Sequence, residues 1–478
     1  MKQRIITILA IFAAHTATAQ VDISLREAFE MMCDNNSTLK ASERAIGAAE
    51  YERRAARGMY LPTIDLSANY TLLQRDIAID LGGNKGVVTE SINNLINNGV
   101  NAGILSPNIA EIIADGLSPI ISQPWGYTIQ KRSLGTISAN ITMPIYAGGR
   151  IRAANSVANI ELQKSEYQYM VIKNAMLSEL IRCYYGVAVQ SEVVVVRREV
   201  VRGVSQHLND AIALEEEGII PHSTLLYVRY KLSEAERELT SAELDLRIAK
   251  RALQRVLGTE KEVNISEKLF IVDNAYTLDY YIDNSHYMNP IISIAKLDKE
   301  LSSIGTKTAR AEFLPEVAIV GSGVLGSYQF SDILPRWAIG VGVNLKLFDG
   351  LSSQNRYTSA RITERAADDL LESTIDDITL LIEKEYYKVI DLEQNISSCK
   401  SSIVYAESYL NSTTEGFKEG INTSSELIDA EIEAAAAKLE YIDAAYQYCM
   451  ALARLYEASG MGYNFIDIAL SGQPINIE

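Results

Sequence analysis

Four histidines, four cysteines and 61 carboxylates are the groups through which this 478-residue chain could do acid–base, nucleophilic or metal chemistry. Their spacing does not favour it. His207, His222 and His286 stand at no ligand spacing from one another or from a cysteine, so a zinc-type site has no basis. Cys33, Cys183, Cys399 and Cys449 are far apart, in segments that read as helix, which predicts free, packed thiols rather than a disulfide scaffold. There is no nucleophile–base–acid triad and no phosphate-cradling glycine loop. Gly321-Ser322-Gly323 lies inside an alternating segment, without the strand–turn–helix context such a loop needs. A net charge of −17 disfavours a nucleic-acid partner, whose phosphates must be neutralised by Lys and Arg. The expectation is a protein with no catalysis, no cofactor and no metal.

Architecture is where the chain is informative. Lys2 and Arg4, the apolar run Ile5 to Ala14, and small residues at Ala17 and Ala19 read as a signal peptide over residues 1–19, cleaved before Gln20. Gln20 is not a cysteine, so no lipid anchor is expected. No later segment approaches the ~18 consecutive apolar residues of a transmembrane helix. Entry into a membrane would therefore require a closed barrel, the other way to satisfy every backbone group in lipid.

The chain is also written twice. Leu61-Pro62 and Leu314-Pro315, each following a basic helical stretch, lie 253 residues apart. Ile145-Tyr146-Ala147-Gly148-Gly149 and Leu347-Phe348-Asp349-Gly350-Leu351 lie 202 apart, as do Gly218-Ile219 and Gly420-Ile421, and Gly258 and Gly460. Residues 20–258 and 259–460 thus read as two structural repeats, each running helix, strand, strand, long helix, turn, long helix, followed by a tail over 461–478. The first repeat carries an extra 51 residues between its strands, roughly 74–132.

Period-2 alternation predicts four strands: Ile64 to Leu72, Ile137 to Ile145, Val317 to Leu325 and Trp337 to Leu347. Each is about as long as a tilted strand needs to cross a bilayer. Four strands do not close a barrel, which takes at least roughly eight, whereas a cyclic trimer would pool twelve. Arg150 to Glu217 contains no proline and predicts a helix about 100 Å long at ~1.5 Å per residue, matched by Ser352 to Glu419. Leu180, Val187, Val194, Val201 and Leu208 recur every seven residues, and so do Ile382, Val389, Ile396, Ile403 and Leu410. Leu225, Leu232, Leu239, Leu246 and Leu253, with Val228, Ala235, Ala242, Ala249 and Val256 three places on, form a coiled-coil seam after the turn. The same column in the second copy is Ala430, Ala437, Ala444, Ala451 and Ala458, small enough for close helix approach.

These pieces resemble the TolC-like outer-membrane efflux proteins. The resemblance is carried by the helix–Leu-Pro–strand passages at Met59 to Leu66 and Phe313 to Val320, and by Pro144 to Arg150 with its pair Leu347 to Gly350. The glycine-centred tips at Gly218 and Gly420 complete it. It implies an α+β membrane protein of long antiparallel coiled-coil helices plus four strands per protomer. Three protomers would form a twelve-stranded outer-membrane barrel and a periplasmic helical tunnel. Such a homotrimer works as a passive exit duct of a tripartite efflux or type I secretion system, for small molecules or proteins. Its partners are a periplasmic adaptor, an inner-membrane pump and outer-membrane lipid. The resemblance also places acidic rings at Glu426 and Asp429, six and nine residues after the tip glycine, where like charges would raise one another's pKa. It implies adaptor docking at Gly218, Ile219, Gly420 and Ile421, and a gate region at Phe417 and Thr224. There the sequence departs from the family's Tyr–Asp latch, since neither residue can remake that bond.

The insertion over 74–132 would face the extracellular side, as a folded cap or as a plain surface excursion. Thr89 is expected to cap one short helix ending near Gly99, and Ser106-Pro107 to open a second that reaches Gly116. The competing class is a soluble periplasmic coiled-coil adaptor or scaffold. Four membrane-length strands repeated in register with the helices disfavour it.

Overall fold

The computed structural model describes residues 21–80, 82–123, 125–272, 276–332 and 334–475, so the expected signal peptide lies outside them. The chain opens with β1 (Val21–Ile23), α1 (Leu25–Asn35) and α2 (Ser37–Gly58), then β2 (Thr63–Leu72) and β3 (Ile77–Asp80). The insertion adds α3 (Lys85–Asn101), α4 (Pro107–Ser122) and β4 (Gly126–Gln130). Next come β5 (Ser133–Ala147), α5 (Arg150–Glu216) and α6 (His222–Leu257). The middle holds β6 (Val263–Ile265), β7 (Phe270–Ile271), α7 (Leu278–Met288) and α8 (Pro290–Ala311). The second half continues with β8 (Glu316–Tyr328), β9 (Trp337–Asn344), α9 (Ser352–Lys418) and α10 (Ser424–Ala458). It ends in α11 (Asn464–Ser471) and β10 (Gln473–Pro474). Two compact units result. One is built of Ala55–Asn155 and Lys307–Tyr357, and the other of the remaining segments.

The first unit is a sheet. Its strands run β2-β5-β8-β9, antiparallel throughout, with β2 and β9 as open edges. The register puts Ile64, Ile141, Gly321 and Ile339 side by side on one face, and Leu66, Ala139, Gly323 and Trp337 in the next row. Side chains alternate across a strand, so Asp65, Asn140, Ser322 and Ala338 share the opposite face. There Asn140 donates to Ser67 Oγ (3.2 Å), and Ser322 donates to Asn140 Oδ1 (2.8 Å). The apolar face is exposed: Leu66 is 70% and Trp337 72% accessible. Pro144, which lacks an N–H for the ladder, sits at a register shift between Pro144 and Tyr146.

The end of the fourth strand, the cap of α3 and the end of α4 depart from expectation. The fourth strand stops at Asn344 rather than Leu347, because its partner β8 begins at Glu316 after Leu314-Pro315, where the ladder loses a donor. Thr89 does not cap α3. The helix starts four residues earlier, and the Thr89 hydroxyl donates back to Lys85 O (2.8 Å). Ser106-Pro107 opens α4 as expected, with Ser106 at the N-cap and Pro107 in the first turn, the cap having no side-chain bond. That helix passes Gly116 and runs through Pro119 to Ser122, because apolar spacing persists in Leu117, Ile120 and Ile121. The insertion also contains a strand pair absent from the sequence reading, β3 with β4, which joins Asp80 to Gly126.

The second unit is helical. α5 and α9 have 67 residues each and begin 202 residues apart, at Arg150 and Ser352. Leu180, Val187, Ile382 and Val389 from their heptad columns are buried in one large core with Leu253, Ala444 and Ala451. Short strands clasp this core. β1 pairs in parallel with β6, and β10 antiparallel with β7. Tyr184 of α5 anchors the first pair: its hydroxyl donates to Ile23 O (2.8 Å) and accepts from the Ser266 and Glu267 amides (3.2 Å each). Tyr448 of α10 anchors the second through Val272 O (2.6 Å). The four cysteines are free, and Cys183, Cys399 and Cys449 are buried.

Candidate functional site

The residues singled out by sequence gather at two helix turns, α5 to α6 and α9 to α10. Each turn needs one residue with positive φ, and glycine supplies it: Gly218 at +73° and Gly420 at +77°. The orphan carbonyls are closed in the same manner. Gly218 N donates to Glu215 O (2.9 Å) and Ile219 N to Leu214 O (2.8 Å), while Gly420 N donates to Phe417 O (3.0 Å) and Ile421 N to Gly416 O (2.8 Å). Ile219 and Ile421 are left 67% and 73% exposed, two apolar side chains presented to solvent on rigid turns.

The two turns differ where the second helix starts. α6 opens on Pro221 with no side-chain cap. α10 opens on a capping box: Thr423 Oγ1 accepts from Glu426 N (3.3 Å), and Glu426 Oε2 accepts from Thr423 N (2.7 Å). Glu426 also accepts from Asn422 Nδ2 (3.4 Å). The Thr423 amide first, then the Asn422 and Thr423 side chains, hold its carboxyl below the usual carboxylate range. Within one chain the shift is thus downward, and the upward push of a ring would have to come from neighbouring copies. Glu426 and Asp429 are both exposed, three residues apart on one face of α10.

Phe417 and Thr224, expected at the gate, stand on different helices. Phe417 lies edge-on against His207 of α5, with ring centroids 4.7 Å apart. Thr224 sits in the first turn of α6, its amide donating to Pro221 O (2.9 Å). The hairpins are joined instead by Ser425, whose hydroxyl donates to Tyr227 OH (3.5 Å), and by Ile428 packed among Ala211, Leu225 and Val228. Farther along, Lys438 of α10 pairs with Glu199 of α5 (3.4 Å) and Glu407 of α9 (3.1 Å), tying three helices.

Three residues missed by sequence reasoning stand beside these. Glu431 of α10 lies directly over Gly203 of α5: a Cβ there would fall 2.0 Å from Glu431 Oε1. Glu431 Oε2 is shielded from solvent and has no hydrogen-bond partner, and burial alone raises its pKa to about 7. His207, one turn beyond Gly203, is 3% exposed with both ring nitrogens unpartnered, and burial lowers its pKa. The available signal was Gly203 itself, a glycine in mid-helix without a turn to justify it.

A sheet with one exposed apolar face, together with paired helical hairpins ending in glycine tips, defines a channel-type α+β protein. A profile of the outer membrane efflux protein family matches residues 114–259 and 284–461, and the chain belongs to that family. No curated protein is significantly similar to it in sequence. Among solved structures, a membrane protein from Pseudomonas aeruginosa superposes with a TM-score of 0.71 at 17% identity, covering 93% of this chain and 91% of its own. The Campylobacter jejuni outer membrane channel CmeC gives 0.70 at 14% identity, covering 92% and 86%. The Vibrio cholerae outer membrane protein VceC gives 0.69 at 16%, covering 92% and 96%. At such identities the likeness is one of fold, and that fold is the TolC-like one. By family the chain is an outer-membrane exit duct for efflux, a passive conduit rather than an enzyme or a soluble adaptor.

Proposed function

We propose that three copies join edge to edge, β2 of one against β9 of the next, to close a twelve-stranded barrel in the outer membrane. The observation that supports this most is the four-stranded sheet itself, with an exposed apolar face and two unpaired edges. Open edges and bare backbone are not tolerated in lipid, and a cyclic assembly removes both. On this reading residues 20–258 and 259–460 are two structural repeats, with 461–478 as a tail. The hairpin tips then form the periplasmic end of the tunnel. Gly218, Ile219, Gly420 and Ile421 dock a periplasmic adaptor that connects to an inner-membrane pump of an efflux or type I secretion system. Glu426 and Asp429 line the aperture as acidic rings, and the region of Phe417 and Thr224 is where it opens.

Leu66→Cys on β2 combined with Ile339→Cys on β9, in cells that express the chain with its four native cysteines replaced by serine, tests the assembly. The reading expects oxidation to give covalent trimers from the membrane fraction. A product that stays monomeric or stops at dimers overturns it.

A further inference from the structure

Glu431 is an acid near the tips whose Oε2 is shielded from solvent and has no hydrogen-bond partner. Its carboxyl occupies the space a side chain at position 203 would fill, so a methyl there would turn the carboxyl out of its seat. A mid-helix glycine weakens a helix relative to alanine, a penalty that calls for a packing reason. The charged groups around the acid are committed elsewhere. On α5, Glu199 pairs with Lys438, and on α9, Glu407 does the same. Lys438, on the acid's own helix, is therefore shared between two other carboxylates. His207, next along α5, is buried without a partner against Phe417, and Asp210 is the charge that acts on it. Among the described residues no cation forms an ion pair with Glu431.

An unpaired carboxylate in such a seat is strongly disfavoured as the ion and tolerated as the neutral acid. We propose that Glu431 is a proton-operated latch of the helix tips: seated over Gly203 as the neutral acid, it holds α10 against α5, and ionisation releases them. This deepens the reading of the tips as the gate and rests on it.

The direction of the pH effect follows from linkage. The packed state holds the proton up to about pH 7, whereas a released, solvated Glu431 loses it near 4.5. Packing is undisturbed below 4.5, weakens as pH rises through that interval, and bears the full ionic penalty above 7. His207 works oppositely: its pKa is lowered from 6.5 by burial, so packing weakens as pH falls below 6.5.

Amide hydrogen exchange on the purified full chain tests this. After correction for intrinsic chemistry, exchange in segments 200–212 and 424–440 should speed up about tenfold between pH 5.5 and 8, one pH unit's worth of linkage. That figure allows for the solvent that reaches part of the side chain. Glu431→Gln should stay slow and show no rise in exchange over the same range. Gly203→Ala, whose methyl displaces the carboxyl, should exchange fast at both ends. Equal pH profiles in the wild type and Glu431→Gln, or an unchanged profile in Gly203→Ala, would overturn the latch. Conductance in planar bilayers separates the two ideas. Exchange that follows Glu431 while conductance does not would keep the latch and overturn the gate.

Discussion

A carboxylate does different work according to what surrounds it, and α10 offers two kinds five positions apart. Glu426 is exposed and tied into a capping box, so it is ionised and rigid. Glu431 is half-buried and untied. On the proposed reading pore selectivity belongs to the first kind, since a fixed, solvated charge on a narrow lumen would attract counter-ions without changing the wall. Replacing Glu426 and Asp429 with Gln and Asn should lower cation preference in reversal-potential recordings. Unchanged selectivity and conductance would remove the acidic rings from the reading. The Glu426 change also breaks half of a capping box, at a cost of roughly 1 kcal/mol, so Asp429→Asn alone is the cleaner variant.

At the level of elements, legibility followed length. The 67-residue helices were readable to within a residue, because a seven-residue period sustained over many turns has few competing explanations. The four sheet strands were readable because alternation over ten residues specifies a face. β1, β6, β7 and β10 were not, since two or three residues leave no period to detect. Their positions depend on hydroxyls such as Tyr184 OH, which in sequence looks like one more member of an apolar stripe. The candidate site was half legible. Glycine tips announce themselves, whereas the meeting of Gly203, His207 and Glu431 depends on how helices distant in sequence pack. The insertion yields an element-scale test. β3 and β4 already bring Asp80 beside Gly126, so residues 82–123 can be replaced by a short Gly-Ser turn without disturbing the pair. If α3 and α4 form a cap over the barrel mouth, single-channel conductance rises. If it does not change, they are a surface excursion.

For the whole molecule, the proposed barrel would give each face of the sheet a different solvent. Ile339 belongs to the exposed apolar face and Asn140 to the polar one. Ile339→Lys should cost about 2–4 kcal/mol if that face meets lipid near the midplane, and should deplete the trimer from the outer membrane. Asn140→Lys should assemble normally and alter only ion flow. Equal tolerance of both would contradict the membrane assignment of the faces. The buried cysteines set a further condition on the molecule as a whole. Burial pushes the thiols up, to about 11 for Cys183 and about 12 for Cys449, so in the finished fold almost no thiolate exists at neutral pH to enter exchange. The periplasm, however, is kept oxidising. A newly exported chain therefore runs a race, in which the helical core must close over its sulfur atoms before a mispaired bridge can trap it.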